Sequence, residues 1–160
     1  GGKLVNAADW GQWTITNPSA TGASLVFGEG YALLTAKGYA GQGMYQAVNV
    51  VAGTKYVIDM VTSSTTGLRD SWFEVYCGHS APVTGVDYSE GGKLRNINTW
   101  AGCGTAPFSG KISVVGCTAD ENKGVFTATK TGVAYLVIRG GGDDMKDGIK
   151  IKSIEMRPSL

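Results

Sequence analysis

Ser71-Trp72-Phe73-Glu74-Val75-Tyr76-Cys77-Gly78 is the stretch that decides the fold. Side chains alternate across a strand, so Phe73, Val75 and Cys77 share one face while Trp72, Glu74 and Tyr76 share the other. The first set is a core set. The second places a carboxylate between two aromatic rings, an unusual way to decorate a face turned to water. Working outward, the same alternation recurs: Leu136 and Ile138 against Tyr135, Val137 and Arg139, and Tyr56, Ile58 and Met60 against Val57, Asp59 and Val61. By this pattern Asp59 and Arg139 join Glu74 on one sheet surface. Helical periodicity is hard to find, whereas short alternating segments recur between clusters of Gly, Asn, Ser and Asp.

Strands are expected over Trp13–Thr16, Ser24–Phe27, Tyr31–Ala36, Met44–Val50, Tyr56–Thr62, Trp72–Cys77, Leu94–Asn98, Lys111–Val115, Gly124–Ala128, Ala134–Arg139 and Ile149–Met156. In the last, Ile149, Ile151 and Ser153 face in, Lys150 and Lys152 face out, and a bulge precedes Ile154 and Met156. So many short strands predict an all-β chain, a β-sandwich of two antiparallel sheets with about five strands each. No internal repeat or linker interrupts residues 1–160, which read as a single domain.

Composition narrows the functions. Fourteen Lys+Arg against 13 Asp+Glu leave a formal charge of +1, so a phosphate-tracking basic groove, and with it nucleic-acid binding, is not expected. No apolar run is long enough to span a bilayer, so direct membrane insertion is not expected. The opening Gly1-Gly2-Lys3 carries no signal-peptide pattern, and the expectation is a module cut from a longer parent chain. Cys103 and Cys117 lie 14 positions apart in turn-rich surroundings. A bridge there would stabilise by about 3 kcal/mol and would imply an oxidising, extracellular location. Three reduced thiols in a cytosolic protein is the alternative. Cys77 is expected to be buried and free.

The order of motifs resembles a known superfamily. Leu4-Val5-Asn6 is followed by Trp13-Thr14, then by Gly38-Tyr39-Ala40-Gly41-Gln42-Gly43-Met44-Tyr45-Gln46. Next come Val51-Ala52-Gly53-Thr54-Lys55-Tyr56 leading into an apolar strand, a late Gly124-Val125-Phe126-Thr127-Ala128, and a closing Gly148-Ile149-Lys150-Ile151-Lys152-Ser153-Ile154-Glu155. This pattern resembles the β-jelly-roll carbohydrate-binding modules of families 4, 9 and 22, over nearly the whole chain. The middle, Cys77–Gly116, fits that pattern poorly. It is similar instead to the C-terminal module of glycan-binding surface lipoproteins from Bacteroidetes polysaccharide-utilisation loci. The resemblance implies a jelly roll that binds a polysaccharide, with β-glucan such as laminarin, or xylan, as family-level ligands. No cofactor is required. The superfamily's closing strand usually carries an acid that helps hold a structural Ca²⁺, and the matching position here is Lys152, which cannot ligate a cation. Oxygen ligands remain at Asp9 and in the loop Asp143-Asp144-Met145-Lys146-Asp147, which reads first as a solvated turn.

Glycan recognition uses aromatic faces for sugar C–H groups and polar side chains for hydroxyls. Trp72, Tyr76 and Trp100 are the expected platform, with Glu74, Arg139 and Asp59 at its rim; Tyr88, Tyr39 and Trp13 are further aromatic candidates. Each also has a structural reading. Trp13 suits a core plug and Tyr39 a turn, and Glu74–Arg139 suits a cross-strand pair. If the polymer were acidic, Arg139 would pair with a uronate or sulfate. An enzyme is the rival class, and Asp59 with Glu74 is the one carboxylate pair available to flank a glycosidic bond. The lone His79 makes neither a zinc site nor a catalytic triad, and Gly140-Gly141-Gly142 reads as a flexible turn. A structural spacer or adhesion domain is the third class; it would not need the aromatics. Non-catalytic polysaccharide binding by a module of a larger secreted or cell-surface protein is the reading the residues favour.

Overall fold

In a computed structural model the described residues are 10–14, 22–118 and 122–159. They form eleven strands: β1 (Gly11–Thr14), β2 (Ser24–Gly28), β3 (Tyr31–Thr35), β4 (Lys37–Val50), β5 (Lys55–Ser64), β6 (Arg69–Gly78), β7 (Arg95–Asn98), β8 (Phe108–Lys111), β9 (Val125–Thr127), β10 (Gly132–Asp144) and β11 (Ile149–Pro158). One sheet has the order β1-β4-β10-β6-β7 and the other β2-β3-β11-β5-β8, with β9 added beside β5. All pairings are antiparallel. The chain is an all-β sandwich of jelly-roll type.

Period-2 patterning builds the core. In β5 every second side chain from Tyr56 to Ser64 is buried, and in β6 Phe73, Val75 and Cys77 point the same way. They meet Met44, Leu136 and Ile138 of their own sheet and Leu34, Ile149 and Ile151 of the facing one. This is two-sheet packing with one shared apolar layer. Cys103 and Cys117 are disulfide-bonded, with Cα atoms 5.5 Å apart, and Cys77 is free and buried.

Three local expectations are corrected. Lys111–Val115 is not a strand: β8 stops at Lys111 and one helical turn, α1 (Ile112–Val115), follows. The β-branched run is overridden because the Asp59 carboxylate accepts bonds from the Ser113 amide and hydroxyl, pinning the turn to β5. Gly140–Gly142 is not a flexible turn but lies within the C-terminal half of β10, paired with β4 and β6. A Cβ on Gly141 would collide with the Ala40 carbonyl, so missing side chains here permit close packing rather than looseness. Ser153 does not face in. It takes φ 53° at the bulge between Lys152 and Glu155, is exposed, and hands the inward position to Ile154.

Candidate functional site

The outer face of the five-stranded sheet carries most of the expected site. Register sets Arg139 of β10 directly opposite Glu74 of β6, with Val137 opposite Tyr76 and Gly141 opposite Trp72. Arg139 is only 8% exposed. Its Nη2 lies 2.9 Å from Glu74 Oε1 and donates to the Tyr76 hydroxyl at 3.3 Å, while Nη1 lies 3.3 Å from Asp87 Oδ1. The guanidinium carbon also sits 5.2 Å from the Tyr76 ring centroid, within reach of a cation–π contact. Lys93 Nζ stands 3.7 Å from Glu74 Oε2. Two cations and two carboxylates thus balance.

The loop after β6 folds back over part of this face. Tyr88 meets Tyr76 edge-on, with centroids 6.1 Å apart, and these two with Val137 form a small second core flanked by Tyr45 and Tyr135. The Tyr88 hydroxyl lies 2.7 Å from the Ser80 carbonyl and 3.0 Å from the Glu90 carboxylate. Glu90 also accepts from the Ser80 amide at 3.1 Å and hydroxyl at 3.0 Å. Burial opposes ionisation of Glu90, yet these bonds together hold its carboxyl below the ordinary value. Burial raises the Tyr76 and Tyr88 hydroxyls above theirs. The loop packs closely on Gly78: a Cβ there would meet the Glu90 carboxylate and the Tyr88 hydroxyl, which would have to shift.

The expected residues therefore separate. Glu74, Arg139, Tyr76 and Trp72 share one face. Tyr76, at 4% exposure, is a floor under Tyr88 rather than an open platform; alternation gave its face but not the loop that covers it. Asp59 is misplaced by the sequence reading: it sits on β5 of the other sheet, where it holds Ser113. Period-2 patterning says which residues share a strand face, not which sheet the strand joins. The Asp59–Glu74 carboxylate pair is accordingly not formed. Trp72 is half-buried and reaches across to β10, where a Cβ on Gly141 would come within 2.9 Å of its Cη2. Trp100, at 58% exposure, sits in a 3-10 turn (Thr99–Ala101) that directly follows β7.

That turn is held beside Trp72. Asn98, cross-strand from Trp72, accepts from the Trp100 amide at 2.9 Å. Thr99 Oγ1 accepts from the Ser71 amide at 2.9 Å and donates to the Ser71 carbonyl at 3.2 Å. Tyr39, on β4 two residues before Gly41, which pairs with Gly141, is 52% exposed with φ 61°. Tyr39, Trp72 and Trp100 thus lie toward one end of the sheet, across β4, β6 and the end of β7. The Trp13 side chain and Asp9 lie outside the described residues. Asp87 and Lys93 were not legible as site residues, because each reaches the face from a loop.

Among the described residues no three His, Cys, Asp or Glu side chains gather to hold a metal ion. In the loop before β11, Asp144 accepts from the Lys146 amide, and Asp147 accepts from the Thr65 hydroxyl. The first is a local turn bond and the second ties the loop to the residue that follows β5, and Lys152 is exposed.

No protein-family profile and no curated protein matches the sequence. Among solved structures the chain is similar to the enzymatically active domain of bacteriophage CBA120 tailspike protein 4, with TM-score 0.55, 9% identity, and coverage of 99% of this chain and 20% of that one. It spans about a fifth of that protein's length, and at this identity the likeness is one of fold. A CBM4 structure (TM-score 0.49, 11% identity, 99% and 95% coverage) and TmCBM61 in complex with β-1,4-galactotriose (TM-score 0.46, 11% identity, 99% and 100% coverage) superpose more loosely.

Proposed function

We propose that the chain is a non-catalytic glycan-binding module, and that it grips a polysaccharide along the outer face of the five-stranded sheet. The observation that carries this reading is the position of exposed Trp100 in the turn that follows Asn98, the residue cross-strand from half-buried Trp72. Rigid rings offer a sugar's apolar face a partner at little entropic cost. Tyr39, on β4, is a third exposed ring toward this end of the sheet, while Glu74, Arg139 and Tyr76 form a bonded cluster further along the same face. Asp59 has no part in it.

The charge balance supports an uncharged polymer. Arg139 is engaged by Glu74, Asp87 and the Tyr76 hydroxyl, so a uronate or sulfate would have to displace two carboxylates to reach it. Neutral β-glucan, xylan or galactan chains meet no such barrier. The Cys103–Cys117 bridge supports a secreted or cell-surface setting within a larger parent protein.

Affinity electrophoresis through laminarin, xylan, galactan and alginate, with reducing-end release assayed in parallel, tests the proposal. Retardation by a neutral polymer without release is expected. Release of sugar would return the chain to the enzymes, and neither effect with any polymer would make it a spacer.

A further inference from the structure

A second concavity lies away from these aromatic rings, at the edge of the sandwich where the end of β6 faces β9. It encloses about 350 Å³ and is lined by His79, Glu90, Asn122, Phe126, Thr127 and Thr129, among others. That volume is at the lower end of small-molecule sites. Phe126 supplies an aromatic ring, 5.8 Å centroid to centroid from the His79 imidazole.

The polar groups around it are incompletely used. His79 Nδ1 lies 3.0 Å from the Val133 carbonyl. A carbonyl only accepts, so Nδ1 carries the proton and the neutral ring's Nε2 is left an acceptor. Nε2 is buried and has no hydrogen-bond partner among the described residues, a cost that a ligand or a water relieves. Asn122 spends its amide nitrogen on the Gly91 and Lys93 carbonyls, at 3.2 and 3.4 Å, which leaves its Oδ1 available. Thr127 and Thr129 are exposed residues of its lining.

We infer that this slot is a separate binding site for one uncharged polyhydroxylated ring, such as the terminal residue of a glycan. Acceptors predominate, so the occupant must donate. The two threonine hydroxyls both donate and accept, and vicinal sugar hydroxyls, which do the same, can answer them in either direction. Phe126 offers a surface for the ring's C–H face. The inference does not depend on Tyr39, Trp72 and Trp100, since the slot shares no residue with them.

The test is a ¹H–¹⁵N correlation titration of the labelled chain with the methyl glycosides of glucose, galactose, mannose and xylose. Concentrations should reach about 100 mM, since a one-ring contact is worth only millimolar affinity. Shifts at Gly78, His79, Asn122 and Thr127 are expected with at least one sugar, weakened about tenfold in the surface variant Thr127→Val/Thr129→Val and in Phe126→Leu. No shift at these residues with any of the four sugars would overturn the inference and leave the cavity to solvent. Shifts confined to Trp72, Asn98 and Gly141 would overturn it equally, while supporting the outer-face proposal.

Discussion

Arg139 and Glu74 face each other across β10 and β6, 2.9 Å apart and both nearly closed to solvent. The pair is not a surface ornament. It sits over Tyr76, takes in Asp87 from the overlying loop, and so joins two strands and a loop through one guanidinium. Arg139→Met removes that centre and strands Glu74 without its close partner. Unfolding in urea should show a loss on the order of 3 kcal/mol. Arg139→Lys should recover only part of it, since an ammonium cannot serve three acceptors in a plane. A loss below about 0.5 kcal/mol would mean the pair behaves as an exposed one.

Asp59→Ala should separate fold from site. It removes the bonds to Ser113 that pin α1, so a stability loss of about 1 kcal/mol is expected, with polysaccharide retardation unchanged. Retardation lost in a folded Asp59→Ala chain would place the ligand on the other sheet.

Glu90 gives the loop an acid limit. Its folded-state carboxyl titrates below the ordinary value of 4.5, so its contribution is complete above that value. It drains away as pH falls through the lower folded value. The melting-temperature gap between the native chain and Glu90→Gln should stay constant from about pH 8 to about pH 5 and shrink in more acid solution. A gap that instead widened in acid would contradict the assignment.

The cysteines should report their environments separately. Burial, with a smaller push from the Glu90 charge, raises the Cys77 thiol to about 12, so its reactive thiolate is scarce at neutral pH. Without reductant, mass spectrometry after alkylation should find no modified thiol in the native chain and one, at Cys77, in denaturant. Reduction of Cys103–Cys117 should cost about 3 kcal/mol. Three alkylated thiols in unreduced denatured protein would remove the bridge.

Much of this was legible in sequence, but unevenly. Strand alternation at Phe73, Val75 and Cys77 fixes a buried face wherever the strand sits, and turn residues bound the segments, so the sandwich followed. Sheet membership is a long-range property, which is why Asp59 was grouped with Glu74 although β5 and β6 belong to opposite sheets. Burial of Tyr76 depends on Tyr88, twelve positions on, returning over it, and no local pattern encodes that return. Ile112–Val115 carries strand propensity, yet one distant carboxylate turns it into helix. Trp100 was readable because a ring between Asn98-Thr99 and Ala101-Gly102 falls in a loop, where burial is hard to arrange, and it is exposed.

The most direct test compares the native chain with Trp72→Ala and Trp100→Ala in the polymer gel that retards it best. Each ring should be worth about 1.4 kcal/mol, so each variant should bind about tenfold more weakly, with Trp100→Ala keeping its melting temperature because the ring is mostly in solvent. Full retardation of both folded variants would contradict the claim that this face is where the glycan binds.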